Sequence, residues 1–199
     1  MKVSLILAHP DPRSFNHAIA GRVRATLLAT GHDVSSHDLC AEGFDPVMPV
    51  AEIPSAAVPP VAIRRQGDEI RAADGIVIVH PNWWGQPPAI LTGWIDRVLR
   101  PGVAYRFREG DGGEGVPEGL LRARAALVFN TANTSASREA DVFLDPLDKI
   151  WRNCVFGLCG VRTIHRRTFQ IVVTSTPEQR RSWLDEVEAT VRRSFPPGA

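Results

Sequence analysis

Short apolar runs alternating with segments of helical period constrain this chain more than any other feature. KVSLILA over residues 2–8 is the first run: apolar, partly β-branched and closed by His-Pro-Asp-Pro, a turn that cannot continue a strand. From Ser14 the apolar positions Phe15, Ala18, Ile19, Val23 and Leu27 recur at helical spacing, and Gly31 is placed to end that helix. A weaker strand follows over His32–Leu39, then a proline-bearing stretch over residues 40–60 that reads as a long loop. The pattern then repeats with a helix through Val61–Ala73, a strand over Gly75–His80, a helix over Ala89–Leu99 and a strand over Ala125–Phe129. Asp145-Pro146 is a cap and first-turn pair for a helix running to about Gly157, and Val161–Val173 contains a last strand. Thr176-Pro-Glu-Gln179 forms a capping box that starts a final helix. Strands separated by helices pair in parallel and are covered on both faces. The expected architecture is therefore α/β: a five-stranded parallel sheet in the order 2-1-3-4-5. The 199 residues supply one sizeable core, so residues 1–199 are expected to form one domain.

Five strands favour the flavodoxin-like order over the six-stranded dinucleotide fold, and in both the ligand lies beyond the carboxyl ends of the strands. Three segments fall there. After the first strand, Ser14 can cap the helix while the N–H groups of Phe15 and Asn16 point outward, an arrangement that binds phosphate. His9 and Arg13 could add donors to the same anion; equally, Ser14 could be only a cap and His9 only the end of a strand. After the third strand, Pro81-Asn82-Trp83-Trp84-Gly85 places two tryptophans in a proline-stiffened turn. A flat aromatic ligand could stack there, with backbone groups of Asn82–Gly85 on its edge; the alternative is that the rings plug a core or an oligomer interface. After the fourth strand, Asn130, Thr131, Ala132 and Asn133 open a loop of small polar residues suited to close backbone approach. A phosphate at the first segment and a flat ring between the other two is the geometry of a flavin.

Composition removes several classes. Charged residues make up 23% of the chain and the formal net charge is +1, which argues for neither nucleic acid nor a membrane surface. The apolar start of the chain is too short for a signal peptide, and no stretch is long enough to insert in a membrane. A cytoplasmic location is expected. Cys40, Cys154 and Cys159 have no zinc-like spacing; no metal site is expected, and the latter two read as buried thiols. His165-Arg166-Arg167 reads as a solvated or interface patch. Gly110-Asp-Gly-Gly-Glu-Gly115 satisfies G-x-G-x-x-G literally but lies between a helix and a strand and carries acidic residues, so it reads as a loop over about 108–119.

At these residues the chain resembles the NAD(P)H:quinone oxidoreductase family of flavodoxin-like flavoproteins and its bacterial NAD(P)H-dependent branch. AHPDPRSFNHAIA is similar to the family's AH-x4-SFN turn, HPNWWGQPPAILTGWIDRVLRPGVAY to its P-x-x-W…PAILKGW block, and FGLCGV to a late FCG signature. The resemblance extends over nearly the whole chain. It implies a tightly bound flavin, a homodimer with sites at the subunit interface, NAD(P)H as co-substrate and ping-pong, two-electron reduction of quinones or related electrophilic aromatics. By position it assigns His9, Ser14, Phe15 and Asn16 to the flavin phosphates, Pro81 to Gly85 to the edge of the ring system, and Asn130 to Asn133 to its other side. Tyr105, the only tyrosine, falls where the family has an aromatic residue reaching the partner's site.

Two departures bear on the reaction. The mammalian members carry a Tyr and a His after the fourth strand that assist hydride transfer, whereas this chain reads SASREADVFLDP there. Hydride transfer chiefly needs proximity and stacking, so the reaction class survives while the acceptor is left open. The family also divides between FAD and FMN. Asp96 and Arg181 fall where FAD members contact the adenosine half, which favours FAD with FMN as the alternative; Asp96 could instead pair with Arg97 or Arg100. Two other classes compete. One is an ancillary subunit of a potassium efflux system. The other is a flavodoxin-like electron carrier, disfavoured by the near-neutral charge.

Overall fold

In a computed structural model the described residues are 1–54, 56–108, 115 and 117–198. The strands in chain order are β1 (Lys2–Leu7), β2 (Asp33–Asp38), β3 (Gly75–Pro81), β4 (Tyr105–Arg106), β5 (Glu118–Gly119), β6 (Ala125–Ala132) and β7 (Thr163–Gln170). Five of them form one parallel sheet in the order β2-β1-β3-β6-β7, and β4 pairs with β5 as a short antiparallel ribbon. With the ribbon set aside this is the expected 2-1-3-4-5 order, and the fold is flavodoxin-like. The helices are α1 (Phe15–Ala29), α2 (Val61–Ala72), α3 (Ala89–Val98), α4 (Ala136–Asp141), α5 (Pro146–Lys149) and α6 (Pro177–Ser194).

Side-chain alternation along the strands divides the core in two. Val77 and Val79 of β3, with Val3, Leu5 and Leu7 of β1, pack against Ile19, Val23 and Leu27 of α1 and Trp183, Val187 and Val191 of α6. Ile76 and Ile78, one residue out of step, face the other side and meet Ile63 and Ile70 of α2, Leu91, Trp94 and Val98 of α3, and Trp151. Every residue of β3 and β6 is buried, which is why these central strands read as continuous apolar runs while the edge strands β2 and β7 do not.

The stretch over residues 40–60 is less of a free loop than its composition suggests. It contains a 3-10 turn at Val50–Glu52, whose Glu52 forms a buried bidentate ion pair with Arg97 (2.6 and 3.1 Å). Arg100 donates to the carbonyls of Glu52, Pro54 and Ala57. Arg97 at the end of α3 and Arg100 just beyond it thus pin the segment onto the helix, and Gly93 is what lets it come that close: a Cβ there would stand 2.2 Å from the Pro46 carbonyl oxygen.

Other elements differ from the reading of the sequence. The fourth sheet strand runs on through Ala132, because Asn130 and Thr131 find buried polar partners and the ladder continues. Asp145 does cap α5 with its side chain, but after four residues the helix widens into a π-helix over Ile150–Gly157. Helix α4 was hidden in a polar stretch, and its cap is Ser135. Glu118–Gly119 is ribbon rather than loop, while the G-x-G-x-x-G run lies, apart from Gly115, outside the described residues. Cys159 is buried as expected, but Cys154 is exposed. Arg166 is no solvated patch: its side chain is largely buried in an ion pair with Asp145. Among the described residues no helix is long and apolar enough to cross a membrane, and no group of His, Cys, Asp and Glu is arranged to hold a metal.

The close approach at Gly93 has a direct test. Gly93→Ala should destabilise the fold by about 1–3 kcal/mol in urea unfolding, because the methyl meets backbone that cannot rotate away. Gly21→Ala, on the open face of α1 with nothing within 4 Å, should instead stabilise by about 0.4–1 kcal/mol. Equal midpoints for the two variants would contradict this picture.

Candidate functional site

Parallel pairing of β1, β3 and β6 puts the three singled-out segments side by side at one edge of the sheet. Thr131 joins two of them: its carbonyl accepts the Asn82 N–H (2.7 Å), and its hydroxyl accepts from Asn16 Nδ2 (2.9 Å). The His9 ring lies 6.0 Å from that of Trp83. One site is therefore bordered by the start of α1, the end of β3 and the end of β6.

At the first border Ser14 caps α1, its Oγ accepting the His17 N–H (3.3 Å). Among the described residues the N–H groups of Phe15 and Asn16 have no hydrogen-bond partner, and no acidic residue occupies the first turn. The Phe15 ring points away, packing on Phe169 and Trp183, so only its backbone serves the edge. Asn16 is 2% exposed, and its Oδ1 is left without a hydrogen bond. His9 Nδ1 accepts the Asp11 N–H (3.1 Å), which leaves Nε2 as the donor of the neutral ring. Burial, with His17 nearby, keeps the His9 imidazole below its ordinary pKa. Arg13 is exposed and tied to Asp11.

The tryptophan turn is a tight one. Trp83 and Gln86 exchange backbone hydrogen bonds (3.2 and 3.1 Å) around Trp84 and Gly85, both at positive φ (57° and 75°). That is the type I′ pattern, which suits Gly85 and strains Trp84. Trp84 is thereby held 97% exposed, between a cavity of about 510 Å³ running under Trp83, Pro88 and Thr92 and one of about 530 Å³ lined by Thr134, Glu139, Phe143 and Pro146. Asn82 fixes the turn, its Oδ1 accepting the Gly85 N–H (3.0 Å) and its Nδ2 donating to buried Glu139 (2.9 Å).

Beneath this edge lies a polar cluster inside the sheet. His80 is fully buried; its Nδ1–H donates to the Pro81 carbonyl (2.8 Å), and its Nε2 accepts from Trp151 Nε1 (2.9 Å) and Asn130 Nδ2 (2.7 Å). Asn130 in turn accepts from Arg166 (3.4 Å). Burial drives the His80 pKa down to about 4, and the Arg166 guanidinium pushes the same way, so the ring is neutral with its tautomer fixed.

Asn130 thus supports the edge from below. Thr131 and Ala132 close the strand, and Asn133 is exposed beyond it, its Oδ1 accepting the Val173 N–H (2.9 Å). Asp96 is exposed on α3, borders the cavity under Trp83, and pairs with neither Arg97 nor Arg100. Arg181 is exposed just past the first turn of α6 and paired with Glu178 (2.7 Å). Tyr105 is apart from the edge, half-buried against Phe107 in a cavity of about 570 Å³ with Ile95 and Cys159; burial raises its pKa.

Four polar residues at or under the site escaped the sequence reading: His17, Asp38, His80 and Glu139. His17 carried a usable signal, since it stands at the capping-box position where Glu or Gln is usual. The other three did not, because Asp38 and Glu139 lie in polar stretches and His80 merely ends an apolar run.

Fold and edge define a flavodoxin-like protein, and comparison with known proteins agrees. The chain matches the family described as "Flavodoxin-like fold" over residues 1–192, and it belongs to that family. It is 32% identical over 169 residues, 83% of this chain and 81% of the relative, to an "Uncharacterized NAD(P)H oxidoreductase" of Haemophilus influenzae. It is 27% identical to the human "Ribosyldihydronicotinamide dehydrogenase [quinone]", covering 82% of this chain and 78% of that one. Among solved structures, Smu.1420 from Streptococcus mutans superposes with a TM-score of 0.83 at 29% identity, over 97% of this chain and all of the other.

The buried imidazole predicts an acid limb of stability. His80 binds its proton less tightly folded than unfolded, so stability is complete above pH 6.5 and is lost as pH falls toward about 4. The loss attributable to this residue is roughly 3 kcal/mol. Urea unfolding from pH 7 to 4 should show a steeper fall in the native chain than in His80→Gln; parallel slopes would contradict the assignment.

Proposed function

We propose that this chain is a flavin-dependent NAD(P)H oxidoreductase that reduces quinones or related electrophilic aromatics by two electrons. One observation carries the reading: the open N–H pair at the start of α1 is joined through Thr131 to the aromatic turn after β3. An anion and a flat ring are thus served by one continuous edge. The residues fit a flavin in their donor chemistry, and the orphaned Asn16 Oδ1 sits between the two halves. His9, Ser14, Asn16 and the backbone of Phe15 would hold the phosphate. Pro81 to Gly85 would border the isoalloxazine, with Thr131 to Asn133 on its other side and Asn130 as their support. When bound, the flavin supplies hydride chemistry, taking a hydride from NAD(P)H and returning it to the acceptor. The chain's own part is to orient the ring, exclude water beside the tryptophans and hold the phosphate.

The cofactor proposed is FAD, with Asp96 and Arg181 toward its adenosine half and FMN as the alternative; Asp96, beside the cavity under Trp83 and with no ion-pair partner among the described residues, supports the first. A homodimer would cover exposed Val142 and Leu144 together with Trp84 and Phe143, the last two of which line the cavity beside Glu139. We further propose one domain over residues 1–199, with Tyr105 contributing to a substrate site across the dimer, in a cytoplasmic protein. The quinone in the printed name of the human relative supports the acceptor class.

Ser14→Asp tests the reading, because Asp caps a helix as well as Ser does while placing a negative charge at the phosphate. Flavin affinity should fall about a hundredfold or more, by like-charge repulsion at contact distance, with the far-UV circular dichroism unchanged. Retained affinity would refute the placement. A native chain that binds neither FAD nor FMN and oxidises no NADPH with a quinone would refute the function.

A further inference from the structure

We propose that His17 is a positioning residue for the flavin phosphate, taking up a proton when the phosphate binds, so that cofactor affinity is tied to pH through a Ser14–His17–Asp38 chain. The inference rests on the flavin reading above and adds a regulation to that site.

The argument is one of proton positions. His17 Nε2 lies 2.9 Å from Asp38 Oδ2; a carboxylate only accepts, so Nε2 carries a hydrogen. The other ring nitrogen, Nδ1, lies 3.0 Å from Ser14 Oγ, which already accepts the His17 backbone N–H. With a neutral ring, Nδ1 is bare and must accept the Ser14 hydroxyl hydrogen. The hydroxyl then offers an arriving phosphate only lone pairs. With a protonated ring, Nδ1–H donates to Oγ, and the hydroxyl hydrogen is free to point at the anion. The same proton also places a full positive charge in the first turn of α1, next to the open N–H groups of Phe15 and Asn16. A phosphate therefore prefers the protonated state, and by reciprocity its binding draws a proton onto His17.

The groups facing His17 allow this. Asp38, at the end of β2, keeps Oδ2 for the ring while Oδ1 accepts the Ala41 N–H (3.1 Å). His9, at the end of β1, stands 6.3 Å away between ring centres, and burial favours its neutral form. Asp11 and Arg13 in the intervening turn neutralise each other at 3.3 Å. Cys40 lies near Asp38, and burial raises its thiol pKa, keeping it uncharged. A second observation points to a ligand here. The Asn16 amide is buried with one end unpartnered, and the Thr131 hydroxyl that meets its other end can donate as well as accept. Turned about, that amide presents a donor with no protein acceptor, on the same helical turn.

The test uses the full chain stripped of flavin, with dissociation constants for FMN, FAD and riboflavin measured by fluorescence quenching from pH 5.5 to 8.5. The native chain should lose affinity for FMN and FAD as pH rises, by up to about tenfold per unit for one linked proton. His17→Gln, which preserves a capping box, should flatten that dependence. The ratio of native to variant at each pH removes the ionisation of the FMN phosphate itself. Asp38→Asn leaves the imidazole but removes its carboxylate, so the loss of affinity should move to lower pH; this variant decides the matter if His17→Gln does not fold. Riboflavin, without a phosphate, should show no difference between native and variant chains. Parallel pH profiles for the native and substituted chains with FMN and FAD would overturn the proposal while leaving the flavin reading intact. A native chain that binds no flavin at any pH would overturn both.

Discussion

Thr131 stands where β3 and β6 end together, and both of its polar groups are engaged there: the carbonyl by the tryptophan turn, the hydroxyl by the first turn of α1. Everything that makes this edge a site depends on that junction. Register carries it, since His80 pairs with Asn130 and Pro81 with Thr131 in the sheet, so a slip of one residue would send each side chain to the opposite face. The buried hydrogen bonds of His80 with Trp151 and Asn130 make such a slip costly, because each buried polar group would lose its partner.

The two ends of the site are built by different physics. The proposed anion end is backbone: a helix start with open N–H groups, a serine cap and no acidic side chain in the first turn. The proposed ring end is rigid hydrocarbon on a strained turn. Trp84 at positive φ is tolerable only because Gly85 takes the second left-handed position, Asn82 braces it through Glu139, and the edge of Pro146 closes against Gly85.

Much of this was legible from the sequence, and what was not has identifiable causes. Strand order, the two helix layers and the three strand-end segments follow from hydrophobic period and turn chemistry, which are local. The end of β6 was misjudged because Asn130 and Thr131 are polar. Their partners, His80 fifty residues away and Asn16 still farther, are not visible along the chain. The clamp on Glu52, Pro54 and Ala57 was invisible for the same reason: Arg97 and Arg100 read as surface charges until Glu52 is seen beside them. The proton chain through His17 joins the first turn of α1 to the end of β2, a pairing that only the parallel neighbour relation of β1 and β2 creates.

The central claim, that one edge takes a phosphate at α1 and a flavin ring at the tryptophan turn, is tested most directly by a crystal structure of the chain with FAD or FMN. The account predicts phosphate oxygens within hydrogen-bonding distance of the Phe15 and Asn16 N–H groups and of Ser14 Oγ, with the ring system against Trp83 and the backbone of Thr131 to Asn133. A phosphate bound elsewhere, such as against the glycine-rich stretch over residues 110–115, would contradict it.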